Sequence, residues 1–165
     1  MNTHLIAFII IFAPIFAYLW IWLAKRNLNP STPTKFAVGL LFLALGFLMM
    51  VIASTVITTG SKAMPTWLLL TYLFHTFGEL ALSPVGLSAT TKLAPKRFVG
   101  QMMGLWFVAS ALGNLIAGRI AGEFDANNIA GFPSQYLDIV MTTAGAGIIL
   151  LILSKPLQKR MRGAE

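Results

Sequence analysis

Five apolar runs, each about the length needed to cross a bilayer, decide what this chain can fold into. They cover residues 5–24, 36–58, 66–91, 100–122 and 134–154, and the short segments between them are rich in Pro, Gly, Asn and charge. In lipid a backbone N–H or C=O has no water to bond, so runs of this kind become α-helices, which satisfy those groups internally. The expected fold is therefore all-α: an integral membrane bundle of five transmembrane helices in a single domain, followed by a basic tail over residues 155–165. Composition supports this, since only 10% of residues are charged, against about 25% in a typical soluble domain. The net charge of +7 lies in short clusters between the runs. That pattern points to membrane topology and a lipid bilayer as partner, and to no nucleic acid.

The distribution of Lys and Arg gives the runs a direction. Lys25, Arg26 and Lys35 flank the first connection and Lys92, Lys96 and Arg97 lie in the third, whereas the second holds Lys62 alone and the fourth none. Lys155, Lys159, Arg160 and Arg162 follow the last run. The positive-inside rule then places the first and third connections and the C-terminus in the cytoplasm, with the N-terminus outside. The expected location is the inner (plasma) membrane, crossed several times. The opening residues carry no Lys or Arg and no small-residue cleavage site, so the first run is expected to remain as a span. Transporters are often built from repeats of three helices, and five reads as a six-helix half missing one.

Residues 77–97, FGELALSPVGLSATTKLAPKR, are the most unusual stretch. A carboxylate at membrane depth costs at least about 2.5 kcal/mol to insert, so Glu79 points to a solute or ion pathway. Pro84 cannot donate to the carbonyl of Leu80, and the third span is expected to be broken there. His75, Glu79 and Ser83 are four apart and fall on one helix face. Trp106, Ser110 and Asn114 repeat that spacing in the fourth run, at matching depth if the two helices are antiparallel. Faces that met would form a three-rung polar and aromatic strip across the midplane. Simpler roles compete with this one: Ser and Asn often only join membrane helices, at about 0.6 kcal/mol each. His75 reads first as a hydrogen-bonded interior histidine and second as a pathway-lining group. Gly39 and Gly46 are small packing positions, and the stripe Ala109, Gly113, Ala117, Ala121 also reads as packing. Enzyme chemistry finds no support, because HExxH, GxSxG and Walker motifs and cysteine are all missing from the sequence. No metal site is expected.

The segments GELALSPVGLSATTKLAP (Gly78–Pro95) and GQMMGLWFVASALGNLIAG (Gly100–Gly118) resemble the proton-dependent oligopeptide transporter family, a branch of the major facilitator superfamily. FAPIFAYLW in the first run and PTKFAVGL (Pro33–Leu40) opening the second fit the same resemblance. It implies that the five spans are the eighth to twelfth helices of a twelve-helix core, a C-terminal fragment forming part of the C-terminal half of the fold. The implied function is the C-terminal part of a proton-coupled di-/tripeptide symporter, contributing half of the central peptide site. The proton would be the coupling ion, with no cofactor, and transport would need the N-terminal half or a partner chain. By the same resemblance, Glu79 matches the tenth-helix glutamate that engages the peptide amino terminus and pairs with a lysine from the other half. Trp106, Phe107 and Ser110 match positions lining the peptide pocket, and Ser83, Pro84 and Gly86 match the region that bends to gate the cytoplasmic side. His75 and Asn114 would line the pathway beside them. Leu5-Ile6 depart from the Asn-Pro usual in the family. The alternative reading is a non-transporting accessory subunit or degenerate relic that packs against a partner.

Overall fold

The computed structural model of the chain describes residues 3–26, 30–124 and 128–161. Five helices follow in order: α1 (Thr3–Lys25), α2 (Thr32–Thr58), α3 (Pro65–Leu93), α4 (Val99–Gly122) and α5 (Phe132–Met161). Single 3₁₀ turns at Lys96–Phe98 and Ile129–Gly131 lead into α4 and α5. Each apolar run of the sequence is thus one helix, and among the described residues all five are long and apolar enough to cross a membrane. Their outer surfaces suit lipid rather than water: Ile10, Met141 and Ile152 are each 67–70% exposed.

Two helices run farther than expected, each through a proline. Pro84 does not break the third span, because α3 is continuous through it. The fifth run is expected to end at residue 154, yet α5 continues through Pro156 to Met161 and carries the first part of the basic tail. Residues 162–165 of that tail lie outside the described residues. A proline removes one donor and crowds one carbonyl. At Pro84, inside the span, the remaining backbone groups have no solvent to turn to, so the helix persists around that local loss. Pro14 is carried inside α1 in the same way. Pro65 and Pro33 sit in the first turn of their helices, where a missing N–H has no cost.

α2 is the central helix, packed along both α3 and α5, while α1 and α4 lean on α3. The α2–α3 seam is built from small residues. Gly39 and Gly78 face each other so closely that a Cβ at Gly78 would lie 2.9 Å from the Gly39 carbonyl oxygen, and one at Gly39 would lie 3.1 Å from that of Gly78. Ala37, Ala44, Ala53 and Ala81 are buried. Such residues let two backbones approach, which is where helix association in lipid gains its dispersion energy. Thr71 of α3 adds a polar tie: its hydroxyl donates to the Gly46 carbonyl at 3.3 Å and to its own Trp67 carbonyl at 2.9 Å. α1 is held mainly by aromatics, with Phe77 as the hub. Its ring centroid is 5.0 Å from Phe12, 5.3 Å from Phe16 and 5.8 Å from Phe42.

Candidate functional site

His75, Glu79 and Ser83 share one face of α3, as their spacing predicts. The helix opposite that face is α2, which contributes Leu43 and Phe47. With Leu82 these residues line a cleft of about 370 Å³, within the roughly 300–1,000 Å³ of small-ligand sites. Most of its wall is apolar, and Glu79 supplies its carboxylate. The Glu79 side chain is exposed rather than sealed in the packing, so its oxygens can meet a ligand. An anionic acceptor in an apolar cleft suits a ligand that joins an ammonium group to an apolar body.

His75 sits deeper. Its ring packs on Phe47 at 4.7 Å between centroids. Its Cδ2–Nε2 edge lies against Gly46, where a Cβ would come within 2.5 Å of Cδ2 and 2.8 Å of Nε2. Nε2 is buried with no hydrogen-bond partner among the described residues. The expected hydrogen-bonded interior histidine is therefore not what is found at this nitrogen. Gly46 is needed because an imidazole occupies the place of its side chain.

The three-rung strip expected between α3 and α4 does not form among the described residues: Trp106 meets Gly86 rather than Ser83, and Ser110 and Asn114 are exposed. Trp106 packs over Gly86, so that a Cβ at Gly86 would collide with the indole, and Phe36 closes the same spot at 2.9 Å. The Trp106 and Phe36 rings meet edge to face at 6.5 Å. Farther along α4, Phe107 is 62% exposed, and Ser110 and Asn114 are exposed as well. The Ser110 hydroxyl donates to the Trp106 carbonyl of its own helix at 2.9 Å. Gly113, in the small-residue stripe, has nothing within 4 Å of a Cβ built on it. Among the described residues the structure thus brings together His75, Glu79 and Ser83, and separately Trp106 and Gly86. It leaves Phe107, Ser110 and Asn114 facing away from the packed helices. No group of three or more potential metal ligands occurs among the described residues.

The sequence reading missed Leu43, Phe47 and Leu82. The signal available was the pair Gly39 and Gly46: these lie two turns apart, so Leu43 and Phe47 fall on the same face of α2 as the packing glycines.

A profile of the POT family matches residues 2–136. The chain belongs to the POT family. It is 41% identical over 160 residues to the peptide transporter YePEPT of Yersinia enterocolitica, covering 96% of this chain and 31% of that protein. It is 38% identical over 156 residues to a di-/tripeptide transporter of Lactococcus lactis, covering 93% of this chain and 30% of the relative. A crystal structure of a mutant peptide transporter POT in complex with alafosfalin superposes with a TM-score of 0.81 at 39% identity, covering 91% of this chain and 30% of that one. The chain therefore spans about 30% of the length of the curated relatives it matches. Its fold is part of a POT transporter fold, in the major facilitator class, and POT members are transporters rather than enzymes. The chain is a multi-pass membrane protein. The family match begins at residue 2 and so includes Leu5-Ile6, where the sequence departs from the usual pair.

Proposed function

We propose that this chain contributes part of the central peptide site of a proton-coupled di-/tripeptide symporter, with Glu79 as the ligand for the peptide amino terminus. The observation that carries the reading is the Glu79 carboxylate in the 370 Å³ cleft between α2 and α3. A peptide ammonium would form charge-assisted hydrogen bonds to it, the strongest polar contact such a wall can offer. A proton arriving on the same carboxylate removes its charge and weakens its hold on the amine, which links peptide release to proton movement. Ser83 and His75 extend the polar face on either side. On α4, Trp106, Phe107, Ser110 and Asn114 supply the neighbouring wall, its exposed side chains available to a second helical bundle. Ser83, Pro84 and Gly86 form the gating segment: Pro84 leaves α3 one hydrogen bond short, and Trp106 rests on Gly86.

Alternating access requires two bundles moving around one site, so the chain works with an N-terminal half or a partner chain. The clusters of Lys and Arg support an inner-membrane orientation with the N-terminus outside and the C-terminus in the cytoplasm. Co-expression with the complementary portion of the Yersinia transporter tests the reading. The pair is expected to take up labelled dialanine in a proton-dependent manner, and neither part alone should do so. Uptake by this chain alone would contradict the shared site. An inserted, associated pair that never transports would favour the accessory-subunit reading.

A further inference from the structure

Lys35 lies in the first turn of α2, half-buried, with its Nζ 4.6 Å from the centroid of the Trp20 ring. That distance is a cation–π contact, and it holds the lysine in place at the end of α1. α2 and α3 run antiparallel, with Gly39 against Gly78 and Phe36 against Gly86, so Lys92, exposed in the last turn of α3, lies toward the same end of the pair as Lys35. No acid is close in sequence to relieve the pair, since residues 24–36 and 91–98 contain neither Asp nor Glu. The amino end of α2 adds positive potential of its own. The Ser31 hydroxyl does not cap it but instead bonds the Thr34 hydroxyl at 2.8 Å.

These features ask for one kind of group: a compact anion rich in acceptor oxygens. We propose that the Lys35–Lys92 corner, with Trp20 as its platform, is a binding site for the phosphate of an anionic phospholipid. The surroundings identify the source as lipid. Arg26 stacks on Trp22 at 4.3 Å and Arg97 on Phe98 at 4.5 Å, a basic and aromatic belt of the kind found at headgroup level. At this end of α1, Tyr18, Ile21 and Trp22 are exposed and give the helix an aromatic and apolar surface toward lipid. Lys92 lies thirteen residues from Glu79, about 20 Å along α3 at 1.5 Å per residue, so the corner is separate from the peptide cleft. It stands whether or not Glu79 binds peptide.

Native mass spectrometry of the purified full chain, released from detergent and titrated with dioleoyl phosphatidylglycerol, reads this site directly. Phosphatidylcholine and inorganic phosphate serve as the comparison ligands. Phosphatidylglycerol is expected to bind, phosphatidylcholine to bind more weakly because its choline is repelled, and inorganic phosphate not to compete. Lys35→Gln and Lys92→Gln should each weaken phosphatidylglycerol binding about fivefold and together about thirtyfold, the effect of losing one and two interfacial cations. Lys155→Gln, which removes a cation elsewhere, and the charge-preserving pair Lys35→Arg and Lys92→Arg should bind as the native chain does. Circular dichroism confirms that each variant is helical, and the single and arginine variants decide the matter if the double variant does not fold. Unchanged binding in the glutamine variants, or an equal loss in Lys155→Gln, would overturn the site. Competition by millimolar inorganic phosphate would overturn its assignment to lipid.

Discussion

Gly78→Val is expected to separate α2 from α3 and to lower stability by more than any conservative change elsewhere in the bundle. A Cβ at Gly78 would lie 2.9 Å from the Gly39 carbonyl oxygen and 2.8 Å from Leu43 Cγ. The leucine side chain can turn aside, but the carbonyl belongs to a helix backbone and cannot. The helices must therefore move apart, which also opens the cleft that both helices line. Overpacking a fitted interior costs about 1–3 kcal/mol, and a clash with backbone falls at or above the upper end. Gly104→Val provides the contrast, because nothing lies within 4 Å of a Cβ built there. Loss of helicity during titration with sodium dodecyl sulfate should come at a clearly lower detergent fraction for Gly78→Val and be nearly unchanged for Gly104→Val. Equal midpoints for the two would refute the close α2–α3 seam.

Glu79→Gln has the second large effect, on activity rather than stability. The side chain is exposed in the cleft and supports no packing, so the variant should fold as the parent does. A hydrogen bond to a charged group contributes about 1.5–3 kcal/mol, which corresponds to roughly ten- to hundredfold in affinity. In a chimera that carries these residues in place of the matching part of the Yersinia transporter, Glu79→Gln should lower dialanine uptake by at least that lower factor. Glu79→Asp, which keeps the charge but shortens the reach, should fall between the two. Uptake in Glu79→Gln equal to that of the parent chimera would remove Glu79 from the pathway.

The helices themselves were legible because a membrane span leaves the backbone no other solution. Residues 5–24 and 100–122 became α1 and α4 with only small changes at their ends. The neighbours of each helix were not legible. A span that is apolar on all sides carries no stripe to show which side is packed, so nothing in the sequence of α2 announced that it would lie between α3 and α5. Chain order suggested α4 as the partner of the Glu79 face, whereas α2 supplies Leu43 and Phe47 there. One proline misled for a related reason. Pro84 was weighed as a local breaker, but the demand that each backbone group at membrane depth be bonded within the helix outweighed it. The shared face of His75, Glu79 and Ser83 was legible because it depends only on the period of a single helix.

Peptide binding by the purified chimera tests the role of Glu79 most directly. Calorimetry would compare dialanine with its N-acetylated form, each titrated into the parent chimera and into its Glu79→Gln variant. If the carboxylate holds the peptide amine, dialanine loses at least about tenfold in affinity on Glu79→Gln. The acetylated peptide binds weakly to the parent and no more weakly to the variant. Equal losses for both peptides, or none for either, would contradict a contact between Glu79 and the amino terminus.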